Sequence, residues 1–78
     1  LVFNPTYSTI TPSVDGVVNV TGLPAGTVVT VDGTVAGTMS DTTLTFTATE
    51  PGIYQINFSK DGYKKGTGTK ITVKRYGQ

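Results

Sequence analysis

The sequence predicts an all-β fold, a small antiparallel immunoglobulin-like β-sandwich of six to seven strands. Three observations predict it. Thr is the commonest residue and Val follows, level with Gly, while the good helix formers Leu, Ala, Glu and Met are scarce. That bias suits pleated strands. Turn signals recur every eight to twelve residues: Asn4-Pro5, Thr11-Pro12-Ser13, Asp15-Gly16, Gly22-Leu23-Pro24-Ala25-Gly26, Asp32-Gly33, Glu50-Pro51-Gly52 and Asp61-Gly62. Between them apolar and polar residues alternate with period two, and no stretch keeps a helical period.

Each element follows in order. Residues 1–12 contain Pro5 and Pro12 and read as a linker or an edge strand, which leaves residues 13–78 as the sandwich domain. In residues 16–21, Val18 and Val20 share one face and Asn19 and Thr21 the other, the pattern of a half-buried strand. Val29 and Val31 repeat it in residues 27–31. Asp32-Gly33 then makes a tight hairpin, because Gly tolerates positive φ and Asp bonds its own following backbone. Val35 starts a short return strand that ends near Gly37.

Residues 43–47 place Leu44 and Phe46 inward and Thr43, Thr45 and Thr47 outward. In residues 53–58 the set Tyr54, Ile56 and Phe58 alternates with Gln55 and Asn57, the clearest strand of the chain. Tyr54 stands just after Pro51-Gly52, where immunoglobulin-like sandwiches use a tyrosine hydroxyl to bond upstream backbone and fix the crossover between sheets. A second hairpin at Lys60-Asp61-Gly62-Tyr63 is expected to lead to the last strand, with Ile71 and Val73 inward and Lys70, Thr72 and Lys74 outward. The expected core is Val18, Val20, Leu23, Val29, Val31, Leu44, Phe46, Tyr54, Ile56, Phe58, Ile71 and Val73.

Composition narrows the chemistry. The chain has 78 residues with no Cys, His or Trp, so it forms one small domain with a thin core. A Ser-His-Asp triad, a thiol nucleophile, a disulfide and the usual zinc and iron–sulfur ligand sets all need residues it lacks. Asp41 and Glu50 flank one strand from opposite ends, too far apart for acid–base work on one bond. Asp15, Asp32 and Asp61 each stand alone in a turn, whereas calcium takes six to eight oxygens. Neither a catalytic residue nor a metal or other cofactor is expected. No apolar run approaches the ~20 residues of a membrane helix. The glycosylation sequons at Asn19 and Asn57 fall inside expected strands.

The net charge of +1 conceals a polarity. Residues 1–59 hold Asp15, Asp32, Asp41 and Glu50 and no Lys or Arg, a charge of −4. Residues 60–78 hold Lys60, Lys64, Lys65, Lys70, Lys74 and Arg75 against Asp61 alone, a charge of +5. With Tyr63 among them, Lys60, Lys64, Lys65, Lys70, Lys74 and Arg75 are the candidate binding residues. Such a stripe meets the acidic groups of a glycan or another polyanion. It equally serves to block sheet-edge aggregation, and it falls short of the basicity of a specific nucleic-acid binder.

The phrases Val29-Thr30-Val31-Asp32-Gly33, Gly37-Thr38, Pro51-Gly52-Ile53-Tyr54-Gln55-Ile56 and Asp61-Gly62-Tyr63-Lys64 resemble two families. One is the PEGA-type small β-sandwich module of bacterial surface proteins. The other is the small immunoglobulin-like domain of tailed-phage structural and tail-associated proteins. Over roughly residues 15–75 the resemblance implies a non-catalytic structural or interaction module in a larger protein of a virion or bacterial cell surface. It implies as partners other domains of that parent protein or virion proteins, with a cell-surface glycan or further copies of the chain as additional candidates. The apolar opening Leu1-Val2-Phe3 agrees with a domain cut from such a parent.

Overall fold

The computed structural model describes residues 1–77, in which seven strands form two antiparallel sheets and no helix occurs. The strands are β1 (Thr6–Tyr7), β2 (Val18–Thr21), β3 (Val28–Val31), β4 (Thr34–Thr38), β5 (Leu44–Phe46), β6 (Gly52–Ser59) and β7 (Thr69–Val73). One sheet has the order β1-β2-β5 and the other β4-β3-β6-β7. This is the predicted small sandwich.

The period-two patterns decide which faces meet. Val29 pairs with Phe58, Val31 with Ile56 and Tyr54 with Ile71, so these six share the inner face of the larger sheet. Val18 and Val20 face them from the smaller sheet, opposite Phe46 and Leu44 along β5. Val18, Val20, Leu23, Ile56 and Ile71 are almost fully buried, with Val29, Phe58 and Val73 close behind.

The expected core needs one correction. Val31, Leu44, Phe46 and Tyr54 pack against it but stay half-buried, because they lie at the rims of the two sheets. Met39 and Ala48, both in connections, fill the space instead, and Thr27 is buried with them. The Thr27 hydroxyl donates to the Pro24 carbonyl at 2.7 Å, which removes the penalty of burying it.

Turn chemistry sets the strand ends. Asp32 and Gly33 both have positive φ, 51° and 84°, which makes the β3–β4 hairpin a two-residue type I′ turn. The Asp32 carboxylate also accepts the Gln55 N–H at 2.8 Å, tying the hairpin to β6. Strand β2 starts later than residue 16 because Gly16 N–H donates to Ser13 in a turn. Strand β5 is shorter than expected because Thr43 N–H goes to the Asp41 carboxylate instead of the ladder. The Tyr54 hydroxyl donates to the Glu50 carbonyl at 2.8 Å, and its ring stands edge-on to Phe46 at 5.7 Å. That is the tyrosine corner the sequence predicts.

The connection from β6 to β7 corrects another expectation. Lys60 to Tyr63 form a turn, closed by Tyr63 N–H to Lys60 O at 3.0 Å, but they do not lead straight into β7. Residues 60–68 make an excursion in which Lys64 N–H donates to Leu1 O and pairs parallel with Val2. The loop returns across β6, where Gln55 Nε2 donates to Thr67 O at 2.7 Å. Gly68 is the tight point of this strap, with φ of 77° and no room for a side chain.

Candidate functional site

The register places the candidate cations along the sheet. Lys60 follows β6 at one pole of the sandwich, whereas Val73, immediately before Lys74, pairs with Gly52 at the other end of the same strand. The seven steps between the eight residues of β6, at ~3.3 Å each, put those poles roughly 23 Å apart, well beyond the screening length of about 8 Å in physiological salt. The two ends of the stripe are therefore electrostatically separate surfaces.

At the first pole, Lys60, Lys65 and Tyr63 line a shallow depression with Ser59, Asp61 and Val28. The Lys60 ammonium lies over Gly26, where an added Cβ would stand 3.0 Å from it. Lys65 also borders the outer face of the larger sheet beside Thr30, Val35 and Asn57. Lys64 is held away from this depression by its backbone pairing with Leu1 and Val2. The Tyr63 ring stacks on Phe3 at 4.7 Å, and Phe3 in turn packs on Phe58 at 5.9 Å. Tyr63 is thus part of an aromatic plug that seats the N-terminal residues at this pole.

At mid-sheet, Lys70 stands opposite Gln55 on the outer face. Lys74 lies at the second pole, paired with Ser13, and the exposed Arg75 follows it. Among the described residues no group of three or more His, Cys, Asp or Glu could hold a metal, and no helix is long and apolar enough to cross a membrane.

Two features carry no signal in the basic stripe. The first is the fate of the sheet edges. Residues 10–14 run along the outer edge of β7, with Thr72 N–H to Ile10 O, Lys74 N–H to Pro12 O and Val14 N–H to Lys74 O, all at 2.8–2.9 Å. Pro12 has no N–H to give and contributes only its carbonyl, as an edge segment allows. The other outer strand of that sheet, β4, is exposed at all five residues. Its sequence holds neither charge nor Pro, the usual guards of a free edge. The clue in the sequence is that absence in Thr34-Val35-Ala36-Gly37-Thr38.

The second feature lies beside that edge. The chain leaves β4 in the larger sheet and crosses to β5 in the smaller one, and a notch of about 410 Å³ opens between them. Val29, Met39 and Leu44 supply its apolar lining and Gly37 and Thr45 its mouth.

At the opposite seam, Tyr7, Phe3, Phe58 and residues 66–69 enclose a smaller cavity of about 200 Å³. The Tyr7 hydroxyl is buried there without a hydrogen-bond partner. Burial pushes its pKa up, and the Thr69 side chain, close by but outside hydrogen-bonding geometry, offsets part of that rise.

Comparison with known proteins agrees with this small sandwich of turns and core positions. No curated protein matches the chain, and no solved structure does. The PEGA domain profile matches residues 15–78, from the Asp15-Gly16 turn through all strands after β1. That family consists of small non-enzymatic domains that occur in surface and extracellular proteins. Covering most of the sequence, the match shows that this chain belongs to the PEGA domain family.

Proposed function

We propose that this domain is a non-catalytic structural and interaction module of a larger bacterial surface or phage virion protein, mediating protein–protein or host-surface contact. One observation carries the reading: the two ends of the described chain sit at opposite poles of an elongated body. Leu1 sits at the Lys60 pole, its backbone nitrogen 3.1 Å from Gly62 O, while Lys74 and the residues after it leave from the Gly52 pole. The body measures 41 × 20 × 18 Å. Joined end to end, such units extend a chain and hold their loops and edges clear of it. Their neighbours would be other domains of the parent protein or virion proteins.

Small-angle scattering from two copies fused through a short linker tests this. The expected maximum dimension is close to twice the 41 Å axis of one copy. A fused pair scarcely longer than a single copy would refute the spacer reading.

The depression formed by Lys60, Lys65, Tyr63 and Ser59 favours a second reading, in which the basic residues bind an acidic glycan or other polyanion. Several lysine contacts to a polyanion weaken steeply with salt, whereas strand pairing and apolar contact do not.

A further inference from the structure

We infer that the notch between β4 and β5 accepts an extended segment of another protein, added antiparallel to β4, with an apolar side chain seated in the notch and a Lys or Arg at its N-terminal end, beside Asp41. The inference rests on the interaction-module reading and names the surface and the partner chemistry. Three observations support it.

The first is the edge itself. Strand β4 offers one uncovered row of backbone donors and acceptors, while the equivalent row of β7 is already taken by residues 10–14. An added strand gains main-chain hydrogen bonds there and takes specificity from alternate side chains.

The second is a vacancy on the inner side of that edge. Gly37 is the partner of the buried Val29, so any side chain at Gly37 would point the same way, into the notch. A Cβ built there meets no heavy atom within 4 Å. The space that residue 37 leaves empty adjoins Met39 and Leu44, and it suits one branched apolar side chain from an incoming strand.

The third observation selects the occupant by charge. Asp41 lines the notch just past the end of β4, and no Lys or Arg lines it, since Lys65 lies on the opposite, outer face of the sheet. The Asp32 carboxylate is turned to β6 by its bond to Gln55 N–H and takes no part. A second copy fits poorly. Antiparallel pairing of two β4 strands about Ala36 sets each Asp41 opposite Val31 of the other copy and brings it no cation. The bulge between Val29 and Thr30 bends the edge, a shape that a flexible peptide follows and a second bulged β4 does not match. A strand that starts with a cation meets the Asp41 carboxylate favourably.

The test is a titration of the domain followed by backbone amide NMR. The probe is a nine-residue peptide of alternating Thr and Leu with Lys at its N-terminal end, compared with the same peptide carrying Glu at that end. The Lys-ended peptide should give saturable shifts confined to residues 34–38 and 41–46. The Glu-ended peptide should bind roughly five- to tenfold more weakly. Asp41→Asn should erase that preference. Asn still accepts the Thr43 N–H bond, so the fold survives. Gly37→Leu should abolish binding while leaving the remaining amide spectrum unchanged. Equal binding of the two peptides, shifts centred on β7 or the Lys60 depression, or dimerisation of the free domain through β4 would each overturn the proposal. The scattering of the fused pair does not depend on whether either peptide binds, so the two readings fail separately.

Discussion

Three glycines allow the strap across β6 to be tested by one substitution made in three places. Gly37→Ala adds a methyl group on a strand, with nothing within 4 Å and no left-handed backbone. It should stabilise the domain by about 0.4–1 kcal/mol through the smaller entropy of the unfolded chain. Gly62→Ala meets equally open space but at φ of 84°, so it reports the left-handed penalty alone, roughly 1–2 kcal/mol. Gly68→Ala combines a φ of 77° with a Cβ only 2.5 Å from Ile56 O and 2.6 Å from Gln55 Nε2. Ile56 O belongs to the backbone of β6 where it pairs with Thr69, and Gln55 Nε2 holds Thr67 O. Making room means giving up about two hydrogen bonds, each worth on the order of 1 kcal/mol. Gly68→Ala should therefore cost about 3–4 kcal/mol, a large part of the roughly 4–12 kcal/mol expected for 78 residues. Urea unfolding followed by far-ultraviolet circular dichroism measures all three. Equal losses in Gly62→Ala and Gly68→Ala would show that the strap lifts freely, and the tight seating of residues 66–69 on β6 would be refuted.

Other perturbations address single contacts. Tyr54→Phe keeps the ring against Phe46 and removes the bond to Glu50 O, so the urea midpoint should fall by the equivalent of about 1 kcal/mol; an unchanged midpoint would assign the corner to packing alone. Tyr7→Phe removes an unpartnered buried hydroxyl and should cost little at neutral pH, in contrast to Tyr54→Phe. Because the folded pKa of Tyr7 is raised above 10.0, its contribution is complete below that pH and is lost as pH rises through the folded value. Stability of the wild type should accordingly fall more steeply above about pH 10 than that of Tyr7→Phe, and parallel urea-midpoint profiles would contradict the burial of that phenol. If the basic depression binds polyanions, Lys60→Ala with Lys65→Ala should lower the salt needed for elution from heparin more than Lys70→Ala with Lys74→Ala does, and unchanged elution in both pairs would end that reading.

The parts of the fold legible in the sequence are those fixed by near neighbours. Tyr54, Ile56 and Phe58 alternate because β6 lies between two strands with one face on the core, and Asp32-Gly33 carries its own turn geometry. Tyr54 could be assigned because the preceding Pro51-Gly52 marks the corner. Met39 and Ala48 could not be assigned, since each is buried by a connection and has no periodic neighbour to reveal its direction. The candidate cations were legible as residues but not as a surface. Their arrangement depends on residues 60–68 leaving the sheet to meet Leu1, a pairing across about sixty residues that no local pattern encodes.

The same long-range pairing governs where the domain can make contact. The early prolines mark residues 1–12 only as extended backbone, and extended backbone has many places to lie. Residues 10–14 lie against β7, and that choice settles which edge stays open, because a four-stranded sheet has two. With β7 covered, its lysines stand beside a closed edge and can act only through their side chains. Strand β4 then carries the exposed backbone of the larger sheet, with an apolar notch and the Asp41 carboxylate beside it. Lys70 and Lys74 thus lie at the opposite edge of the larger sheet from β4, so salt-sensitive contact there does not compete with strand pairing, whereas Lys65, beside Val35 on the outer face, borders both surfaces.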